Sequence, residues 1–337
     1  MKTLDAAVLY STPMATSTRS VHLYQIAYSE ETWNLVAPGF IALDNRANAR
    51  PDWAEYWPIR NFLLSEELDD NALYGFVSPR FAEKLHCSSD DILAFAASLG
   101  EQADIASFSP YFDLQAAFLN PFEQGEFSHP GLLDTAARAL REVMPRVDLR
   151  TLLCRTGDSI YCNYLAAKPA FWRKWLGVCE RIFAMAESAS HPLHAALNRP
   201  YAHRGANQTK VFVIERIAAL LVTVDKLAVA RFAQSSLSGI FPNTDPEVFE
   251  QLSALKLQAC DGNSGALAKF EAMRDGLLES ADATRERARL IADSIAHGTL
   301  HAPSAGYEHW GSAPLRQLYA QGQIGLWRLL SGSLRRR

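Results

Sequence analysis

Short apolar runs closed by turn residues, each followed by a stretch with helical spacing, recur through the first third of the chain. AAVLY (6–10) ends in Ser11, Thr12 and Pro13, which reads as a first strand and turn. VHLYQIAY (21–28) fits a strand or a helix, and GFIALD (39–44) a further strand piece. Ala72 to Val77 is apolar and is closed by Ser78 and Pro79. Ser88, Ser89, Asp90 and Asp91 supply N-cap chemistry for a helix through Phe95 to Leu99. ADIASFSPYFD (103–113) then reads as a strand that leaves the sheet at Pro110. Alternation of this kind predicts an α/β sheet with its sites at strand ends.

The middle third continues the pattern. After His129, Pro130 and Gly131, the residues Leu132, Leu133, Ala136, Leu140 and Val143 mark one face of a helix. SIYCNYLA (159–166), rich in aromatic and β-branched residues, predicts a strand. Pro169 opens a helix whose Trp172, Trp175, Leu176, Cys179, Ile182 and Phe183 share a face, a stripe that belongs in a core. Residues 190–208, with His191, His194 and His203, read as a loop, and 211–232 as one helix apolar nearly all round. Beyond 241–246 the sequence is long-helix material. The expected organisation is a mixed-sheet domain over 1–240 and a helical C-terminal region over 241–337.

Composition narrows the function classes. With 48% hydrophobic and 21% charged residues the chain can bury a full core. A net charge of −4 gives no pull toward a polyanion, so nucleic acid is not an expected partner. Five cysteines without a CxxC pair favour a reducing compartment and offer no zinc site. The first residues lack the long apolar core of a signal peptide, and residues 211–224, broken by Glu215 and Arg216, are too short to span a bilayer. The expectation is a cytoplasmic protein.

ALDNRANARPDWAEYWPIRNFLL (42–64) is unusually dense in large aromatics and directional polar groups. Asp44 and Asn45 follow an apolar run, where strand ends present side chains to a crevice. Arg46, Arg50 and Arg60 carry forked donors suited to phosphate or carboxylate. Trp53, Tyr56 and Trp57 offer flat faces for a base or sugar ring, or else simply pack a short helix. Glu215 lies in a helix apolar on both sides, so it is either half of a structural ion pair or a site carboxylate with a raised pKa. Asp158 follows Gly157 as a turn residue or a site carboxylate. Glu123, Gln124, Glu126 and His129 line a cleft or cap the helix that begins near Gly131. No GxGxxG, GxxxxGK[ST], GxSxG or HExxH is present.

Taken together these segments resemble bacterial polysaccharide-type glycosyltransferases of the GT-A class, at the level of pattern over residues 5 to 232. The elements are the AAVLYSTP first strand, the LDNRANARPDWAEYWPIRNFLL segment and YGFVSPRF. SIYCNYLAAKPAFWRKWLGVCERIF and KVFVIERIAALLV complete the set. The resemblance implies an α/β, Rossmann-like mixed sheet flanked by helices. It implies a transferase that moves a sugar from a nucleotide-activated donor to a glycan or lipid-linked acceptor in cell-surface polysaccharide assembly. A partner subunit that binds glycan or nucleotide without turnover is the alternative.

Under the resemblance, Glu215 and Asp158 are the candidate bases for the acceptor hydroxyl. Arg50, Arg60 and Arg80 hold the leaving diphosphate. Asp44, Asn45 and Tyr74 hold the nucleoside or donor sugar, and His129 borders the cleft. Mn²⁺ or Mg²⁺ would assist in many such enzymes, through an Asp-x-Asp motif that this chain lacks. The terminal segment 315–337 combines Leu315, Trp327 and Leu330 with Arg316, Arg328 and Arg335 to Arg337. It either contacts the inner face of a membrane peripherally or docks on the protein's own sheet.

Overall fold

The computed structural model describes residues 19–85, 87–201, 207–232, 237–241 and 244–296, with side chains described as far as Asp282. AAVLY (6–10) and 315–337 lie outside the described residues. In chain order the elements begin β1 (Val21–Ala27), α1 (Glu30–Asn34), β2 (Ile41–Asp44), α2 (Tyr56–Ser65) and β3 (Leu73–Val77). Next come α3 (Phe81–Leu85), α4 (Ser89–Ser98), β4 (Ile105–Ser107), α5 (Phe112–Ala117), α6 (Pro121–Ser128) and α7 (Leu132–Val143). They are followed by β5 (Leu165–Ala167), α8 (Pro169–Glu187), α9 (His194–Leu197), α10 (Thr209–Ile214) and α11 (Ile217–Asp225). The chain closes with β6 (Val229–Arg231), α12 (Pro246–Cys260) and α13 (Ser264–Ala296).

The fold is α/β: one six-stranded mixed sheet in the order β2-β1-β3-β5-β4-β6, flanked by helices. Only β5 runs against its neighbours, pairing antiparallel with β3 and with β4. β1 pairs in parallel with both β2 and β3, and β4 with β6. Helices cover both faces, which explains why β3 is buried at every residue and reads as a continuous apolar run. On one face Ile26, Phe76 and Leu165 pack with Trp172 and Trp175 of α8 and Ile217 of α11. On the other, Leu23, Val77 and Tyr164 pack with Phe81 of α3 and Ile92 of α4. A third cluster joins Phe118 and Phe241 to Phe249 of α12 and Phe270 of α13, so the C-terminal helices share a core with α5.

Local signals act as the sequence indicates at several points. Ser88 and Asp91 form a reciprocal capping box at α4. Pro169 occupies the first turn of α8, and Trp172 and Trp175 on its inner face are fully buried. Three expectations are corrected. SIYCNYLA is a strand only from Leu165, because Cys162 and Asn163 adopt left-handed backbone (φ 60° and 53°), which no strand continues through. Residues 190–208 contain α9. The expected single helix over 211–232 breaks at Glu215–Arg216 and ends at Lys226 in a left-handed cap, after which the chain forms edge strand β6. The break is held by Arg216, whose buried guanidinium donates to the carbonyls of Phe212 and Pro121 and to Gln124. Among the described residues no helix is long and apolar enough to cross a membrane.

Candidate functional site

The carboxyl ends of the five parallel-running strands share one edge of the sheet, and antiparallel β5 starts there. After β1 the chain turns outward to α1 and β2; after β3 it turns the other way to α3, α4 and β4. Connections that part in opposite directions from adjacent strands leave a crevice between them, where ligands of open α/β sheets bind.

Six side chains from five segments of the chain gather at this crevice. They are Tyr28 after β1, Glu55 ahead of α2, Lys84 on α3, Cys162 and Tyr164 before β5, and Glu215 at the α10–α11 break. Their charges act on one another throughout the set. Lys84 Nζ lies 3.5 Å from Cys162 Sγ and 5.2 Å over the ring of Tyr164. The Tyr164 hydroxyl pairs with Ser78 at 2.6 Å, just after β3.

Glu55 is the most perturbed acid. Part of it faces the crevice, yet its carboxylate makes no hydrogen bond or ion pair among the described residues. Burial pushes its pKa up to about 7; Glu215 adds repulsion, and Lys84 pulls the other way. Burial also raises the Tyr28 hydroxyl, helped by Glu55 and Glu215. At Lys84 burial works to discharge the ammonium, but Cys162, Tyr164, Glu55 and Glu215 outweigh it and hold the proton on. Lys84 lies within electrostatic reach of two carboxylates, one of them poised near neutrality.

Backbone strain gathers at the same edge. Of the six non-glycine residues with positive φ among those described, Asn48, Ala54, Tyr111, Cys162 and Asn163 lie in loops at this end of the strands. Ala54 (φ 46°, ψ −128°) directly precedes Glu55. Such conformations persist where surrounding contacts over-determine them, and they concentrate at functional sites. The contacts here are visible. Lys210, fully buried on α10, donates to Asp52 at 2.7 Å and to Asn198 at 2.8 Å, and stands 4.3 Å over Trp53. Arg50 bridges Asp52 and Glu187, and the Trp53 indole also donates to Glu187.

That network places most of the residues singled out in the sequence. Arg50 is consumed in it. Arg60 forks onto Glu180 at 2.6 and 2.8 Å, with Tyr56 donating to the same carboxylate, and so clamps α2 to α8. Both arginines are structural ties here, because carboxylates on α8 stand opposite them. Arg80 sits at the crevice rim beside Tyr111, paired with Glu83 at 2.8 Å. Asp44 and Arg46 neutralise each other at 2.7 Å, and Arg46 holds Asp44's carboxyl down at about 2. Asn45 is buried with its Nδ2 unsatisfied, beside a concavity of about 590 Å³ that Trp57 and Asn61 also line. Trp53 is core, whereas Trp57 remains half-exposed.

Tyr74 is at the opposite end of the sheet: it opens β3, stacks on His22 and accepts a hydrogen bond from the Asp69 amide. His129 is buried, stacked 3.9 Å from Phe212. Asp158 faces Lys256 and Arg155 on the α12 side, away from Glu215, and burial raises its pKa. Of the sequence candidates, the crevice therefore collects Glu215, whose carboxylate also pairs with the Arg216 guanidinium at 3.8 Å, with Asn45 and Arg80 at its margin. Glu55, Lys84, Cys162 and Tyr28 had not been singled out; no local motif distinguishes them, and they meet only through the sheet.

Asn45 Nδ2, Asn48 Oδ1 and Asn163 Oδ1, all at this edge, are buried without hydrogen-bond partners. No group of three or more His, Cys, Asp and Glu residues suited to a metal ion occurs among the described residues. No protein family, curated protein or solved structure matched the chain.

Proposed function

We propose that the chain is a glycosyltransferase that moves a sugar from a nucleotide-activated donor to the hydroxyl of a glycan or glycolipid acceptor. The observation that carries this reading is the Glu55–Glu215–Lys84 constellation in the switch-point crevice. Glu55, with a pKa near 7, accepts the proton of the acceptor hydroxyl as its oxygen bonds to the anomeric carbon. The bond from that carbon to the donor phosphate breaks, and the nucleoside diphosphate leaves with the electron pair. Lys84 stabilises the charge on the departing oxygens. Glu215 helps to keep Glu55 near neutrality. The half-exposed Trp57 and the unsatisfied amide of Asn45 offer a stacking face and a polar contact for the nucleoside.

Thermal-shift measurement against a panel of nucleotide sugars, with and without Mn²⁺, tests the donor half. Micromolar binding at millimolar ligand stabilises by about 4 kcal/mol, a shift that is easily read. Release of nucleoside diphosphate in the presence of oligosaccharide or lipid-linked acceptors tests the transfer. Glu55→Gln should retain the shift and lose release, and Lys84→Met should weaken both. Stabilisation without release across the acceptor panel would instead favour a binding subunit. No response to any nucleotide sugar would sink the reading.

A further inference from the structure

Among the described residues Lys210, Arg216 and Lys256 are buried cations, and the fold satisfies each of them. Arg216 donates to two carbonyls and to Gln124. Lys256 donates to the carbonyls of Gln115 and Phe118 at 2.8 and 2.6 Å. Arg231, the last residue of β6, differs. Its guanidinium lies 4.9 Å over the ring of Phe112, and among the described residues it makes no hydrogen bond and no ion pair. Its Nε–H is buried without an acceptor. Arg231 is half-buried, Glu250 acts on it only at a distance, and an Nε–H left without an acceptor is a donor that a ligand can satisfy.

A second, independent feature stands next to it. Ser107, the last residue of β4, is the register partner of Arg231, so the two side chains stand side by side on one face of the sheet. Ser107 is 1% exposed, and its hydroxyl has no partner either. Two donors from adjacent strands, with no carboxylate ion-paired to them, suit an oxyanion: the guanidinium fork matches phosphate or carboxylate, and the hydroxyl adds a third donor.

We propose that Arg231 and Ser107 form an oxyanion-binding subsite at the β4–β6 end of the strand edge, which takes a phosphate or carboxylate group carried by a ligand. β6 lies two strand spacings, roughly 10 Å, from β5 and the Tyr164 side of the crevice. The group bound there therefore belongs to a ligand that extends along the sheet edge, such as an acidic glycan or a phosphorylated acceptor. The subsite stands on its own geometry and does not depend on the chemistry assigned to Glu55.

The test is titration of the full chain with inorganic phosphate and, separately, with glucuronate, at constant ionic strength, reading melting temperature and heat of binding. The wild type should bind at least one of them, and which one identifies the oxyanion class. Arg231→Gln should weaken that binding by about tenfold or more, as expected for a lost charge-assisted contact. Ser107→Ala should weaken it by a smaller factor. Without ligand, Arg231→Gln should melt close to the wild-type temperature, because the half-buried guanidinium makes no hydrogen bond or ion pair among the described residues. If Arg231→Gln does not fold, Arg231→Lys replaces it: it keeps a cation over Phe112 but lacks the forked donor, and it should lose binding in the same way. Three results would overturn the proposal: no wild-type response to either anion, equal binding by wild type and variant, or a lower melting temperature with ligand response unchanged.

Discussion

Lys210 Nζ lies 2.7 Å from the Asp52 carboxylate, three residues before Glu55, and closes the network that fixes the loop carrying that acid into the crevice. The pair is asymmetric, since Lys210 is almost wholly buried whereas about a third of Asp52's side chain is exposed and Arg50 also holds it. Removing either partner should therefore have unequal consequences. Asp52→Ala leaves a buried ammonium with Asn198, the Trp53 face and a Glu187 carboxylate no nearer than 4.0 Å, and should cost about 3 kcal/mol. Lys210→Met leaves Asp52 with Arg50 and water, and should cost about 1 kcal/mol. Urea denaturation of the two variants checks the order; equal losses would show that the pair is not the anchor.

The raised acid constant of Glu55 makes stability depend on pH. Its pKa moves from 4.5 in an ordinary setting to about 7, so the folded chain holds the proton more tightly than the unfolded one. Glu55 thus favours folding below about pH 4.5, and that contribution is lost as pH rises toward 7. Wild type should lose on the order of 2 kcal/mol across this window relative to Glu55→Gln, whose amide does not titrate. Parallel pH–stability curves for the two proteins would place Glu55 in open water.

Arg60 ties α2 to α8 through Glu180. Arg60→Ala gives up a partly exposed fork on Glu180, so it should lower stability by about 1–2 kcal/mol. Nucleotide-sugar affinity should stay within about twofold of wild type. A selective loss of affinity at unchanged melting temperature would return Arg60 to the site.

Gly75 lies in β3, where a Cβ would meet the Leu165 carbonyl oxygen at 2.5 Å and Leu23 Cδ2 at 2.6 Å. The carbonyl belongs to the β5 backbone and cannot swing aside, so Gly75→Ala should destabilise by about 2–3 kcal/mol. Gly177, on the exposed side of α8, has nothing within 4 Å of its added methyl. There Gly177→Ala should stabilise by about 0.5–1 kcal/mol. Melting curves of the two variants should move in opposite directions.

The positions of β2, β3 and β4, the N-cap of α4, the proline start of α8 and its tryptophan stripe were legible in the chain. Each depends on residues within a few positions of one another: hydrophobic period, a cap or a fixed φ. The α/β class followed from their alternation. What 42–64 was for was not legible. Its arginines look alike in sequence, yet Arg50 and Arg60 are spent because Glu187 and Glu180 arrive opposite them from more than a hundred residues away. Arg231 drew no attention, and what distinguishes it is that it makes no hydrogen bond or ion pair among the described residues. The break at Glu215 and the edge strand β6 were hidden in a segment apolar enough to be buried as either helix or strand. The acidity of Glu55 is set by burial, by Glu215 and by Lys84. Local periodicity and capping settle secondary structure; pairing, desolvation and site membership are decided only when distant elements share a sheet edge.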